Sequence, residues 1–126
     1  MIVNTMHHVA IIVSDLDKTK DFYVNKLGFQ VIREEHRVPQ NDVKMELQLD
    51  NCMLEIFGRK NPPAIPGDPQ PCGVWHLCFH APDLDKCIAE LHEAGIETGP
   101  VMVNSINGKR LVFFKDPDGL PLELHE

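Results

Sequence analysis

The sequence predicts an α+β fold: two β-α-β-β-β modules whose strands form a curled mixed sheet. Three observations predict it. The two halves share residues at one constant offset, each half reads as a strand, a helix and three more strands, and 126 residues fit a single domain that holds both halves. The repeat is the strongest of the three. His8-Val-Ala-Ile-Ile-Val-Ser-Asp15-Leu-Asp-Lys18 aligns with His76-Leu-Cys-Phe-His-Ala-Pro-Asp83-Leu-Asp-Lys86 at an offset of 68 (76 − 8), and Asp-Leu-Asp-Lys recurs without a gap. Glu55 and Glu123 share that offset (123 − 55), so each half carries a Glu 47 residues after its His (55 − 8 and 123 − 76). One shared pair would mean nothing. A His pair, a Glu pair and a four-residue identity at the same offset mark a duplication.

The single domain spans residues 1–126, with module 1 at about 4–57, a linker at 58–72 and module 2 at about 73–126. Residues 6–13 are a short apolar, β-rich run and predict the first strand. The helix that follows has Leu16, Phe22, Tyr23 and Leu27 near one face, Asp15 or Asp17 to cap its start, and Gly28 to stop it. Strands over 29–34, 43–49 and 52–57 complete the module, with Asp50-Asn51 as a tight turn. The linker, from Gly58 to Cys72, holds five of the ten prolines. Proline lacks the N–H that a sheet ladder needs and cannot continue a helix, so this stretch is an extended connector, and a loop of this length can also serve as a flap. In module 2, a strand over 74–81 leads to a helix striped by Leu84, Cys87, Ile88 and Leu91 and ended by Gly95. Strands over 97–103, 109–115 and 120–125 follow, the last after the turn Asp116-Pro-Asp-Gly119.

Composition narrows the partners. Apolar residues at 43% and charged residues at 25% suit an ordinary globular chain. A net charge of −7 repels phosphate and argues against nucleic acid. No apolar run approaches the ~20 residues of a membrane helix, and no export leader is visible, so the expectation is a cytoplasmic protein without membrane contact. Cys52, Cys72, Cys78 and Cys87 form no Cys-x-x-Cys pair and are expected to be buried reduced thiols.

The chemistry follows from which strand residues the duplication keeps polar. Side chains alternate faces along a strand, so His8 opposes Val9, Ile11 and Val13, while His76 opposes Leu77 and Phe79. Glu55 and Glu123 likewise oppose Leu54 and Ile56, and Leu122 and Leu124. If the aliphatic faces pack on the helices, all four ionisable groups point into a cup. Two carboxylates held close there would repel until one took up a proton. A divalent cation removes that conflict, and two imidazoles supply neutral nitrogen ligands. Two nitrogens and two carboxylates with open positions suit Ni, Co, Fe or Mn, or a catalytic Zn, one ion per site. The remaining histidines lack this support. The repeat partner of His7 is Trp75, His80 and His125 fall at the rim of the cup, and His36 and His92 fall on the solvent side.

With these residues in place, the chain resembles the vicinal oxygen chelate superfamily, in particular its small glyoxalase I-like proteins. The resemblance covers nearly the whole chain through His8-Val-Ala-Ile…Asp15, Phe22-Tyr23…Leu27-Gly28-Phe29, His76-Leu…Asp83 and Asp116-Pro-Asp-Gly-Leu-Pro-Leu-Glu123. It implies the glyoxalase/bleomycin resistance/dihydroxybiphenyl dioxygenase fold, with His8, Glu55, His76 and Glu123 in the four metal-ligand positions. This ligand set is similar to that of bacterial glyoxalase I enzymes, which prefer nickel or cobalt over zinc. The implied activity is that of a metal-dependent lyase or isomerase acting on a small α-oxo thiol adduct, such as a glutathione adduct, through a metal-stabilised enediolate.

Glu55 and Glu123 are equivalent by the repeat, so both are catalytic candidates; the resemblance favours Glu123 as the base. Other activities of the superfamily are the alternatives: an epimerase, a dioxygenase, or a non-catalytic resistance or binding protein. Epimerases of the family typically carry Gln at the Glu55 position, and glyoxalase I sequences usually have Gly-His where this chain has Trp75-His76. Lys109 and Arg110 are the candidates for holding substrate carboxylates. The stiff connector favours holding the modules apart for a partner, so a homodimer is expected.

Overall fold

A computed structural model describes residues 1–126. The chain divides into two compact units, Met1–Pro63 and Ala64–Glu126, each with its own four-stranded mixed sheet. In the first, β1 (His8–Val13) leads into α1 (Leu16–Lys20), and β2 (Gln30–Arg37), β3 (Asp42–Gln48) and β4 (Met53–Gly58) follow. The strand order is β1-β4-β3-β2, with β1 parallel to β4. In the second, β5 (Leu77–His80) leads into α2 (Leu84–Glu93), and β6 (Met102–Val103), β7 (Arg110–Lys115) and β8 (Pro121–His125) follow. Its order, β5-β8-β7-β6 with β5 parallel to β8, repeats the first. The fold is α+β, with one β-α-β-β-β module in each unit.

Local chemistry sets the shared elements. The Asp15 carboxylate accepts the Lys18 N–H at 3.1 Å and the Asp83 carboxylate accepts the Lys86 N–H at 3.1 Å, so the repeated Asp-Leu-Asp-Lys is a pair of helix caps. Gly28 (φ +84°) and Gly95 (φ +79°) end the helical stretches in the left-handed region that glycine enters without steric penalty. The first helix departs from expectation over its second half. Asp21–Lys26 is π-helical, and the Leu27 N–H reaches back five residues to the Phe22 carbonyl at 2.9 Å. The wider turn brings consecutive side chains nearer to one face, and Phe22 and Tyr23 are both buried.

Most strand bounds fall within two residues of the expectation, but β2 runs on to Arg37 instead of stopping at 34, and β5 and β6 are much shorter than the sequence predicts. The segment 74–81 pairs only from Leu77, which leaves Trp75 and His76 just ahead of β5. The segment 97–103 pairs as a strand only at Met102–Val103, because Pro100 interrupts the ladder; the Gly99 N–H still reaches the Phe113 carbonyl at 2.8 Å. The aliphatic strand faces form the cores as alternation requires. Met45, Leu47, Leu54 and Ile56 are buried in the first unit, and Val112, Phe114 and Leu122 in the second, together with Leu84 of α2. The four cysteines are free thiols, but none is buried as expected: Cys72 and Cys78 are exposed and Cys52 and Cys87 half-buried, since Cys72 lies in the connector and Cys78 falls on the strand face opposite Leu77 and Phe79. No helix is long and apolar enough to cross a membrane.

One buried carboxylate ties the end of β4 to its neighbours. Asp42 is 2% exposed and accepts from Arg37 at 2.7 and 2.6 Å and from Arg59 at 3.2 Å. The Arg37 guanidinium, more than Arg59, holds its carboxyl down to about 2, against burial. A depressed acid stabilises the fold above its ordinary pKa of 3.8 and loses that contribution as pH falls toward 2. Asp42→Asn therefore flattens the dependence of stability on pH between 4 and 2, which denaturant melts across that range will show.

Candidate metal centre

In the first unit the ligand candidates stand on the parallel pair β1 and β4, with Ala10 of β1 in register with Glu55. His8 Nε2 lies 3.0 Å from Glu55 Oε2. Glu55 is 5% exposed, and Leu54 and Ile56 on either side turn the other way into the core. Its second oxygen, Oε1, accepts from Lys44 Nζ at 2.7 Å, and the same ammonium lies 3.2 Å from Glu46 Oε1. The Lys44 hydrogen bond, more than any other influence, lowers the Glu55 pKa, against burial. The other nitrogen of His8, Nδ1, is 2.9 Å from His7 Nδ1, so one of the two rings donates to the other.

In the second unit His76 Nε2 lies 2.9 Å from Glu123 Oε2. Glu123 faces Phe113 of β7 on one side and Cys78 of β5 on the other. The Cys78 thiol is pushed up to about 11, by burial first and then by the neighbouring Glu123 carboxylate. The His76 ring stands edge-to-face against Trp75 (4.7 Å between centroids) and Phe113 (5.1 Å). Trp75 in turn stacks on Phe113 at 6.0 Å. Aromatic contacts thus orient His76, whose Nδ1 is buried without a hydrogen-bond partner.

The donor set suits a divalent ion. Both His–Glu contacts, at 3.0 and 2.9 Å, are at hydrogen-bond distance, and imidazole nitrogen with carboxylate oxygen is a donor pair that would hold such an ion. Each unit brings two donors together, and no group of three or more His, Cys, Asp or Glu side chains is placed to hold an ion.

A profile of the Glyoxalase/Bleomycin resistance protein/Dioxygenase superfamily matches residues 5–124. The chain belongs to that superfamily. It is 47% identical to YwkD of Bacillus subtilis (strain 168), a protein of no assigned activity, across 100% of this chain and 99% of that one. It is 31% identical to the mitochondrial methylmalonyl-CoA epimerase of Homo sapiens, across 96% of this chain and 73% of the epimerase. The crystal structure of a glyoxalase family protein from Enterococcus faecalis superposes with a TM-score of 0.95 at 50% identity, over the full length of both chains. Glyoxalase I and a catechol-2,3-dioxygenase are also among the relatives, so the superfamily includes several enzyme chemistries.

Against this superfamily background, the two repeats differ in what surrounds their carboxylates. Glu46 stands across the strand pair from Glu55, whereas Phe113 stands across from Glu123. Lys44 stands across from Phe57; in the second unit Leu111 stands across from His125, the repeat partner of Phe57. Beyond its histidine, one carboxylate therefore has a lysine–glutamate network beside it, and the other has Phe113 and the Cys78 thiol. The sequence does carry a signal for this difference. In 42–48, polar Asp42, Lys44, Glu46 and Gln48 alternate with Val43, Met45 and Leu47, whereas 110–115 has no such alternation.

Other candidates fall outside the pairs. His36, His80 and His92 are exposed, His92 bonding Thr98 at 2.8 Å, and His125 Nδ1 lies 2.7 Å from the Glu126 carbonyl oxygen. Arg110 does not offer a free guanidinium to a substrate carboxylate. It donates to Glu126 at 2.9 Å and to Asp85 at 3.1 Å, and these two acids raise its pKa further. A surface cleft of about 540 Å³ beside the β3–β4 turn is lined in part by His7, Gln48, Asp50 and Met53 and does not include either His–Glu pair.

Proposed function

We propose that this chain is a metal-dependent lyase or isomerase of the glyoxalase I type, acting on a small α-oxo thiol adduct such as that of methylglyoxal and glutathione. The observation that carries this reading is the pair of His–Glu contacts at 3.0 and 2.9 Å, made by residues at one repeat offset. In this reading His8, Glu55, His76 and Glu123 are the metal ligands, and each site takes one divalent ion from the series Ni, Co, Zn, Mn and Fe. Such an ion, when bound, supplies a Lewis acid for anionic charge on two neighbouring substrate oxygens. The rest is the work of the chain itself. Glu123, which no ammonium or guanidinium holds, takes a proton from substrate carbon and returns it to the neighbouring carbon. Glu55, held on one oxygen by Lys44, stays a fixed ligand. Assembly as a homodimer is part of the proposal, on the proline-rich connector alone.

The test is a panel of divalent metals against methylglyoxal plus glutathione, with loss of the hemithioacetal followed by absorbance. Turnover is expected with Ni²⁺ or Co²⁺ above Zn²⁺. The single tryptophan, whose ring is 4.7 Å from that of His76, reports loading independently through its fluorescence. Metal loading without turnover for any ion overturns the glyoxalase reading and leaves the ligand set standing.

A second reading, epimerase chemistry, is favoured by the 31% identity to methylmalonyl-CoA epimerase. It uses the same base for proton exchange beside a thioester carbonyl. Deuterium uptake from D₂O into an acyl-CoA, with the hemithioacetal left intact, would select it. Glu55 in place of the epimerases' typical Gln favours the first reading.

A further inference from the structure

Lys44 is the one ammonium or guanidinium in contact with either ligand-candidate carboxylate, and Leu111 takes its register place in the second unit. It sits on β3 with a side chain 26% exposed, and its ammonium bridges Glu55 Oε1 at 2.7 Å and Glu46 Oε1 at 3.2 Å. Arg33 Nε lies 3.6 Å from the other oxygen of Glu46, so Glu46 has two cationic neighbours. The oxygens of Glu55 are thereby divided. Oε1 belongs to the ammonium, while Oε2 faces His8 Nε2 at 3.0 Å.

We propose that Lys44 is a positioning residue that reserves Oε1 of Glu55 and so restricts this carboxylate to binding a metal through Oε2 alone. This rests on the ligand assignment made above. One oxygen from Glu55 leaves a coordination position open that a two-oxygen carboxylate would fill, and an open position is what a substrate with two neighbouring oxygens requires. The ammonium also places a positive charge beside the cation, which weakens binding of the ion by Coulomb repulsion. Lys44 therefore gives up metal affinity in exchange for an accessible ion. Glu123, with Phe113 and Cys78 as its strand neighbours and His76 on one oxygen, has no ammonium on either oxygen.

The experiment titrates Co²⁺ into the purified full chain at pH 8 and records affinity by calorimetry and coordination by visible absorption, without substrate. Lys44→Met keeps the length of the stem and removes the ammonium. Its expected effect is Co²⁺ binding roughly tenfold tighter, with a changed absorption band as Oε1 becomes available. Lys44→Arg keeps a donor on Oε1 and should resemble the parent in both readouts. Lys44→Gln, which keeps a neutral donor, should restore the parent band but bind more tightly than the parent. A Lys44→Met protein with the parent's band and equal or weaker affinity overturns the proposal, because a residue that only supports the strand would give that result. Failure of the ligand assignment looks different: His8→Ala and Glu55→Gln would then bind Co²⁺ as the parent does.

Discussion

Glu123→Gln is expected to lower kcat by about 10²–10⁴-fold, the usual loss when a positioned base is removed. The substitution keeps the size of the side chain and one oxygen that can still bind a cation. Metal affinity should therefore fall much less than turnover. Glu55→Gln is expected to keep more activity than Glu123→Gln, because the proposed base is untouched. The surroundings of the two carboxylates support that order. Lys44 holds Glu55 on one oxygen, whereas Glu123 lies between Phe113 and Cys78. Steady-state kinetics on each variant, with metal content measured on the same samples, will separate the roles. If the Glu123 variant kept a near-parental kcat while the Glu55 variant lost it, the two roles would be reversed.

Removing an imidazole has the second large effect. His76→Ala is expected to weaken Ni²⁺ or Co²⁺ binding by at least roughly 100-fold, since even outer-layer partners of a metal ligand are worth ~10–100-fold in affinity. The loss should exceed that from any change at the exposed His92, whose contact is Thr98. His92→Ala thus serves as the control, and titration followed by Trp75 fluorescence supplies the measurement. The variant also leaves Glu123, 7% exposed, without its imidazole neighbour. A buried carboxylate that loses a partner is disfavoured in its charged form, so a drop in thermal stability of the metal-free protein should accompany the loss of affinity. Parental affinity in His76→Ala would remove His76 from the ligand set.

Much of this was legible from residues alone because the signals are local or repeated. The Asp-Leu-Asp-Lys runs cap helices through a carboxylate and an N–H three residues on, a contact that needs no tertiary partner. Strand alternation placed Leu54 and Ile56 inside and turned Glu55 away from them, and did the same for Leu122 and Glu123. The duplication singles out two His and two Glu as one set, and the structure brings them together two by two, His8 with Glu55 and His76 with Glu123.

The tertiary structure decided what stands beside each pair. Cross-strand neighbours depend on register, and a slip of one residue would exchange every side chain between faces. Only the β3–β4 and β7–β8 registers show that Glu46 faces Glu55 while Phe113 faces Glu123. The same holds for Arg110, legible as a surface cation but engaged by Asp85, 25 positions earlier in the chain, and by Glu126, 16 later. The sequence by itself determined the fold, because alternation, capping and repetition act along the chain. The inequivalence of the two carboxylates was decided in three dimensions, because it rests on partners that only strand pairing brings within hydrogen-bond reach.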